Sequence, residues 1–206
     1  MNAPVVVLRP RRSLRPIALA LAATVGASFP LVAQSAQDYG VQLAFLATSI
    51  RSEGTTIRGA GVEPQFRINR LYATESFGAL SVGLGAQWTK HSSGGDELTI
   101  TGLFLEPRWV PATSSSKFFP YLSARLALLH QTSNFGSGSN GSGVGAGAGL
   151  AVKLTKTVNL DAGVQVVRQQ LGDFEFNGGG GQLVGSFEPF TTYAAKIGLS
   201  LGFPSR

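Results

Sequence analysis

The segment 193–203, YAAKIGLSLGF, alternates strictly: Tyr193, Ala195, Ile197, Leu199, Leu201 and Phe203 on one side, Ala194, Lys196, Gly198, Ser200 and Gly202 on the other. Successive side chains of a strand point to opposite faces, so the period of two predicts a strand with one wholly apolar face and one that is small or charged. Its length matches the roughly 9–11 tilted residues that carry a strand across a bilayer. Backbone groups in lipid must be satisfied internally, which a strand achieves only in a closed barrel. The segment therefore reads as the closing strand of an outer-membrane barrel.

Seven earlier segments alternate in the same way: 39–47, 57–68, 77–89, 98–110, a fifth starting near Phe119, 144–154 and 158–166. The sixth is the plainest, with Val144, Ala146, Ala148, Leu150, Val152 and Leu154 set against Gly145, Gly147, Gly149, Ala151 and Lys153. The predicted fold is all-β, a transmembrane eight-stranded antiparallel up-and-down β-barrel over residues 37–206. An even strand number puts both chain ends on the periplasmic side, with long connections outside and short ones inside. The Gly-, Ser- and Asn-rich stretch 131–143 and the stretch 171–189, which holds Gly178 to Gly181, then become mobile outer loops. Thr155-Lys156-Thr157 is a minimal inner turn, while 69–76 and 111–117 are longer inner connections. Aromatic residues gather at the two water interfaces of such barrels. In this order Tyr39, Phe66, Phe77, Trp109, Phe119 and Phe203 fall at inner ends, and Trp88 and Tyr193 at outer ends.

Residues 1–36 have the pattern of a cleaved secretory signal peptide. Arg9, Arg11, Arg12 and Arg15 precede an apolar run, and Ala33-Gln34-Ser35 puts small residues at a cleavage site expected between Ala33 and Ala36. The formal charge of +6 depends on this segment, which carries four cations and no acid. Without it thirteen Lys and Arg face eleven Asp and Glu, a net of +2 that offers nothing to a nucleic acid. The chain has no cysteine, so a lipoprotein anchor, disulfides and thiolate chemistry are excluded together.

A soluble ligand-binding barrel also alternates, but it turns its apolar face inward and its polar face to water. Here the polar face is rich in Gly, Ala and Ser, which suits a crowded interior better than a hydrated surface. Eight strands enclose only enough space for their own side chains. The charged residues of that face, Glu63, Arg67, Glu106, Arg108, Arg125, Lys153, Asp161 and Lys196, must then pair, because a buried unpaired ion costs several kcal/mol. They read as a lumen charge network that fills and stiffens the barrel, the other reading being an ion-permeation or substrate site. Val62-Glu63-Pro64-Gln65-Phe66 and Leu105-Glu106-Pro107-Arg108-Trp109 repeat one pattern, echoed by Phe187-Glu188-Pro189-Phe190. Proline within a closed ladder suggests bulges there.

In these residues the chain resembles the small eight-stranded outer-membrane proteins of OmpA and OmpX type, across the whole of 37–206. The most specific match is the barrel-assembly signal (polar, any, Gly, any two, hydrophobic, any, aromatic), carried by Lys196, Gly198, Leu201 and Phe203 and followed here by Pro204-Ser205-Arg206. The resemblance implies a monomeric integral protein set among outer-membrane lipid, inserted by the barrel-assembly machinery, with variable outer loops. It transfers no substrate.

Some small outer-membrane barrels modify lipid A, and the 3-O-deacylases among them use a His and a Ser two residues apart, on one strand face. His91-Ser92-Ser93 has that spacing, but Gly94-Gly95 follows where those enzymes carry Asn, and the segment reads as a short loop. His130 and Ser133 are three apart and would point to opposite strand faces. Two dispersed histidines give no metal-ligand spacing. The glycine run lacks the strand-to-helix setting of a phosphate loop. Phe135, Phe174 and Phe176 are candidates for surface contact with an unknown ligand. The function expected is structural or surface-interacting, without catalysis, metal or cofactor; a lipid A modifying enzyme and a narrow channel are the alternatives.

Overall fold

The computed structural model describes residues 37–52, 55–93, 96–112, 117–134, 136–178, 181–186 and 188–204. The proposed leader, 1–36, lies outside them. Eight long strands, β1 (Gln37–Ser52), β2 (Thr55–Thr74), β3 (Gly78–Ser93), β4 (Asp96–Val110), β5 (Phe118–Ser133), β6 (Gly136–Lys153), β7 (Val158–Leu171) and β10 (Phe190–Pro204), form one closed ring. Each pairs antiparallel with its chain neighbour, and β10 returns to β1, matching Tyr39 to Phe203 and Arg51 to Thr191. Between β7 and β10 the chain forms a separate hairpin, β8 (Asp173–Gly178) with β9 (Gly181–Ser186).

The strands carry the predicted parity but run further at their outer ends. Most of 131–143, expected as loop, is paired strand, with Gln131 opposite Ser139 and Leu129 opposite Gly141. Part of the last outer loop is the β8–β9 hairpin. Hairpin pairing satisfies the backbone of these polar stretches, so they need no apolar face to stay extended. Inside, 69–76 is mostly β2, and the β6–β7 turn is held by Thr155 Oγ1, which accepts from the amides of Thr157 and Val158 at 3.2 and 3.0 Å.

Pro64 and Pro107 make no bulges. Pro64 keeps its place opposite Leu43 on β1, and Pro107 opposite Val82 on β3. On its other side each leaves a two-position gap in the ladder, and the register resumes unshifted at Gln65–Gly85 and at Arg108–Ser123. Each proline thus aims its missing N–H at one neighbour only. Register shifts occur elsewhere, as between Ile68 and Tyr72.

The exterior is an apolar belt. Phe45, Leu84, Leu103, Leu122, Leu128, Val164, Ile197 and Leu199 are all exposed on it. Below it lies an aromatic girdle in which Tyr39 stacks on Phe66 at 6.1 Å and Phe77 meets Trp109 at 5.7 Å. Phe118, exposed, serves this girdle on β5, whereas Phe119 lines the interior at the inner mouth. Trp88 and Tyr193 stand exposed at the upper edge. From Tyr193 to Phe203 the chain climbs about 33 Å at ~3.3 Å per residue. A tilt near 40° brings that to about 25 Å, the height of a membrane barrel's apolar band.

Candidate functional site in the barrel lumen

Lumen-facing residues come from the even positions of β1, β4 and β10 and the odd positions of β2, β3, β5, β6 and β7. Strand β6 contributes mainly glycine, and the partners use the space. A Cβ on Gly149 would lie 2.3 Å from the Tyr121 hydroxyl, and one on Gly85 2.4 Å from the Phe104 ring. Bulky groups from β4 and β5 therefore fill the barrel against bare backbone.

Glu106 sits at the centre, 1% exposed. Lys196 Nζ donates to its two oxygens at 3.3 and 3.0 Å, and Arg67 Nη2 and Arg108 Nη2 reach Oε1 at 2.9 and 3.1 Å. Arg125 Nη1 lies 3.7 Å from Oε2. Two further acids offset most of the surplus of cations. Arg108 Nη1 donates to Asp161 at 2.6 Å, and Arg125 Nη2 pairs with Glu63. Neutral groups complete the geometry. Tyr121 donates to Asp161 at 2.7 Å, Gln165 and Gln87 accept from Arg125 at 2.9 and 2.7 Å, and Ser81 accepts from Arg67 at 3.0 Å. The Arg108 guanidinium also lies 3.6 Å from the Tyr121 ring centre, and that of Arg125 3.7 Å from Phe104. Four cations and three carboxylates from five strands thus form one buried cluster, with guanidinium forks spanning between staves.

Of the eight residues read as a lumen charge network, Glu63, Arg67, Glu106, Arg108, Arg125, Asp161 and Lys196 meet there. Lys153 does not. It is half-buried at the inner end of β6, opposite Asn159, and makes no ion pair among the described residues. Its position is one lumen-facing step below Asp161, where the rim admits water and an ammonium needs no fixed partner. The assembly-signal residues divide between the faces: Lys196 and Gly198 point inward, Leu201 and Phe203 outward and exposed. Gly198 also lets β10 approach β1 closely, since a Cβ there would meet Leu43 O at 2.5 Å.

Above the charges lies a layer that the alternation did not announce. Ile50, Ile100, Phe104, Ala127, Leu129, Leu171 and Phe190 are all buried and packed as one apolar cluster across the outer part of the lumen. The available signal was the run Leu126-Ala127-Leu128-Leu129, apolar at both parities, which marks a strand flanked by apolar surroundings on each side. Between the two layers is a space of about 20 Å³, bordered by Thr48, His91 and Gln165. At the inner mouth a vestibule of about 120 Å³ opens beside Arg67, Asn159 and Asp161.

The segment with His91 is strand rather than loop. His91 lies inside the barrel, 1% exposed, with Nε2 at 2.9 Å from Thr48 Oγ1. His130 faces out on β5, Nδ1 at 2.8 Å from Asn140 Oδ1. The side chains of Ser93, Phe174 and Phe176, and residues Gly94, Gly95 and Phe135, lie outside the described set, as do parts of the glycine run and the Phe187 echo.

Compared with solved structures, the chain is similar to Neisserial surface protein A, with a TM-score of 0.59 at 19% identity over 81% of this chain and 97% of that one. It has the fold of the small eight-stranded outer-membrane barrels. The barrel also aligns with Ail, the attachment invasion locus protein of Yersinia pestis, at a TM-score of 0.48, 9% identity and coverages of 81% and 99%. Outer membrane protein W of E. coli gives 0.44, 17%, 83% and 100%. No family model and no curated protein matches the barrel's sequence.

Proposed function

We propose that this outer-membrane barrel is a structural and surface-interaction protein: monomeric, exported by a cleaved leader at 1–36, inserted by the barrel-assembly machinery, with a lumen that neither conducts nor catalyses. The observation that carries this reading is the doubled filling of the lumen. A permeating ion would have to cross the Glu106 cluster, whose charges are already paired, and then the apolar layer from Ile100 to Phe190, where nothing replaces its hydration. The separation of the two histidines supports a non-enzymatic role, one enclosed in the lumen and the other on the outer face. Beyond the belt the hairpins of β1–β2 and β5–β6 offer paired backbone and polar side chains, and β8–β9 a paired backbone, as a surface for a partner outside the cell.

Purified barrel in planar bilayers tests the closed lumen: the expected trace is flat, and regular conductance steps from the wild type would sink the reading. Mass spectrometry of lipid A from cells with and without expression tests the enzymatic alternative. Unchanged acylation is expected; loss of an acyl chain that His91→Ala or His130→Ala restores would replace this proposal with a hydrolase.

A further inference from the structure

The exterior of β1, β2 and β3 carries a trough that no lumenal role explains. Its residues form rows across the three strands. Lowest is the apolar row Phe45–Val62–Trp88, then Ala47–Ala60–Lys90, then Ser49–Arg58–Ser92. Phe45 and Trp88 are both exposed and flank Val62, on strands about 9–10 Å apart. The small residues above leave a depression of about 680 Å³. Its sides are one acyl chain apart.

The upper end of the trough is cationic. Arg58 is exposed and borders it, and Lys90 stands on the neighbouring strand, a diagonal separation of about 7–8 Å. Lys90 is held in place by Glu97 at 2.8 Å, both side chains solvent-exposed. Arg51 lies further up the same face, opposite Thr56. Trp88 marks the outer water interface of the belt, so these cations lie at headgroup level and the apolar row at acyl level.

We propose that this trough binds a phosphorylated, acylated glycolipid of the outer leaflet, with the chemistry of lipid A. An acyl chain lies over Val62 and Ala60 between the Phe45 and Trp88 rings, and a sugar phosphate is held by Arg58 and Lys90, with Ser92 in reach as a hydroxyl donor. Charge complementarity selects this occupant. Two cations with one fixed acid at the head of an apolar slot suit an anion with an attached chain, and the depth suits a lipid headgroup rather than a soluble phosphate. The proposal rests on the outer-membrane placement and not on the closed lumen, so a conducting wild type would leave it untouched.

Native mass spectrometry of the purified full barrel released from detergent tests it, using bis-phosphorylated lipid A, its dephosphorylated form and phosphatidylglycerol as probes. The wild type is expected to retain bis-phosphorylated lipid A at least tenfold better than either other lipid. The double variant Arg58→Ala/Lys90→Ala, checked for folding by its heat-modifiable migration, is expected to lose that preference. Trp88→Ala should weaken retention of lipid A and its dephosphorylated form alike. Equal retention of phosphatidylglycerol, equal retention without phosphates, or an unchanged preference in the folded double variant would each overturn the proposal.

Discussion

Glu106 shows how one residue can decide the state of several. Four cations approach its carboxylate and only two other acids share them, so its removal leaves positive charges facing one another out of water. Breaking a buried pair from one side typically costs about 3–5 kcal/mol. Glu106→Gln is therefore expected to lower the unfolding free energy of the barrel in detergent, read from denaturant titration, by an amount in that range, whereas Lys153→Ala at the inner rim should change it by less than about 0.5 kcal/mol. An equal response of the two variants would remove Glu106 from the centre of the cluster. At this scale strand parity made most of the cluster legible, because parity alone determines which charges face inward. Depth along the strand is not encoded in parity, and Lys153 shows the difference: its face was readable, its distance from Asp161 was not.

A strand of this barrel is specified by what it leaves out as much as by what it carries. The glycines of β6 are the recesses for Tyr121 and its neighbours, so Gly149→Val should force the phenol off Asp161 and abolish the heat-modifiable folded band on electrophoresis. Pro64→Ala, by contrast, restores an amide at an intact register and is expected to leave the band and the unfolding midpoint close to wild type. Strand existence and order could be read from alternation because lipid on one side and lumen on the other impose opposite demands on neighbouring residues. The outer ends were harder to read. Above the belt the inward positions such as Gln131 and Ser139 stay buried but are polar or glycine, so no contrast between the faces marks the parity, and Ser- and Gly-rich sequence such as GSGSNGSG in β6 looks like loop although the ladder continues through it.

For the whole molecule, the β8–β9 hairpin is an appendage: it pairs with itself and supplies no strand to the ring. Replacing 173–186 by a short Gly-Ser linker is expected to keep the heat-modifiable barrel with its unfolding free energy within about 1 kcal/mol of the wild type, since loop-closure cost changes only slowly with loop length. A variant that fails to insert would show that the hairpin supports the wall. The apolar layer of the outer lumen was legible only as a local loss of alternation, because residues from β1, β4, β5, β7 and β10 assemble it and no single strand contains its pattern.

The ring closes by joining its first strand to its last, with Tyr39 set against Phe203, while the other ladders link strands that follow one another along the barrel. Local hairpins can zip as soon as their two arms exist; the seam must wait for the whole chain and bears the largest entropy of closure. A half-made barrel is then an open curved sheet with two raw edges, and the time it spends in that form is governed by the β1–β10 contact. Gly198, where an added side chain would strike the β1 backbone in that seam, acts on this interval: Gly198→Val should slow the appearance of the heat-resistant form during refolding more than an equally bulky change within a hairpin ladder.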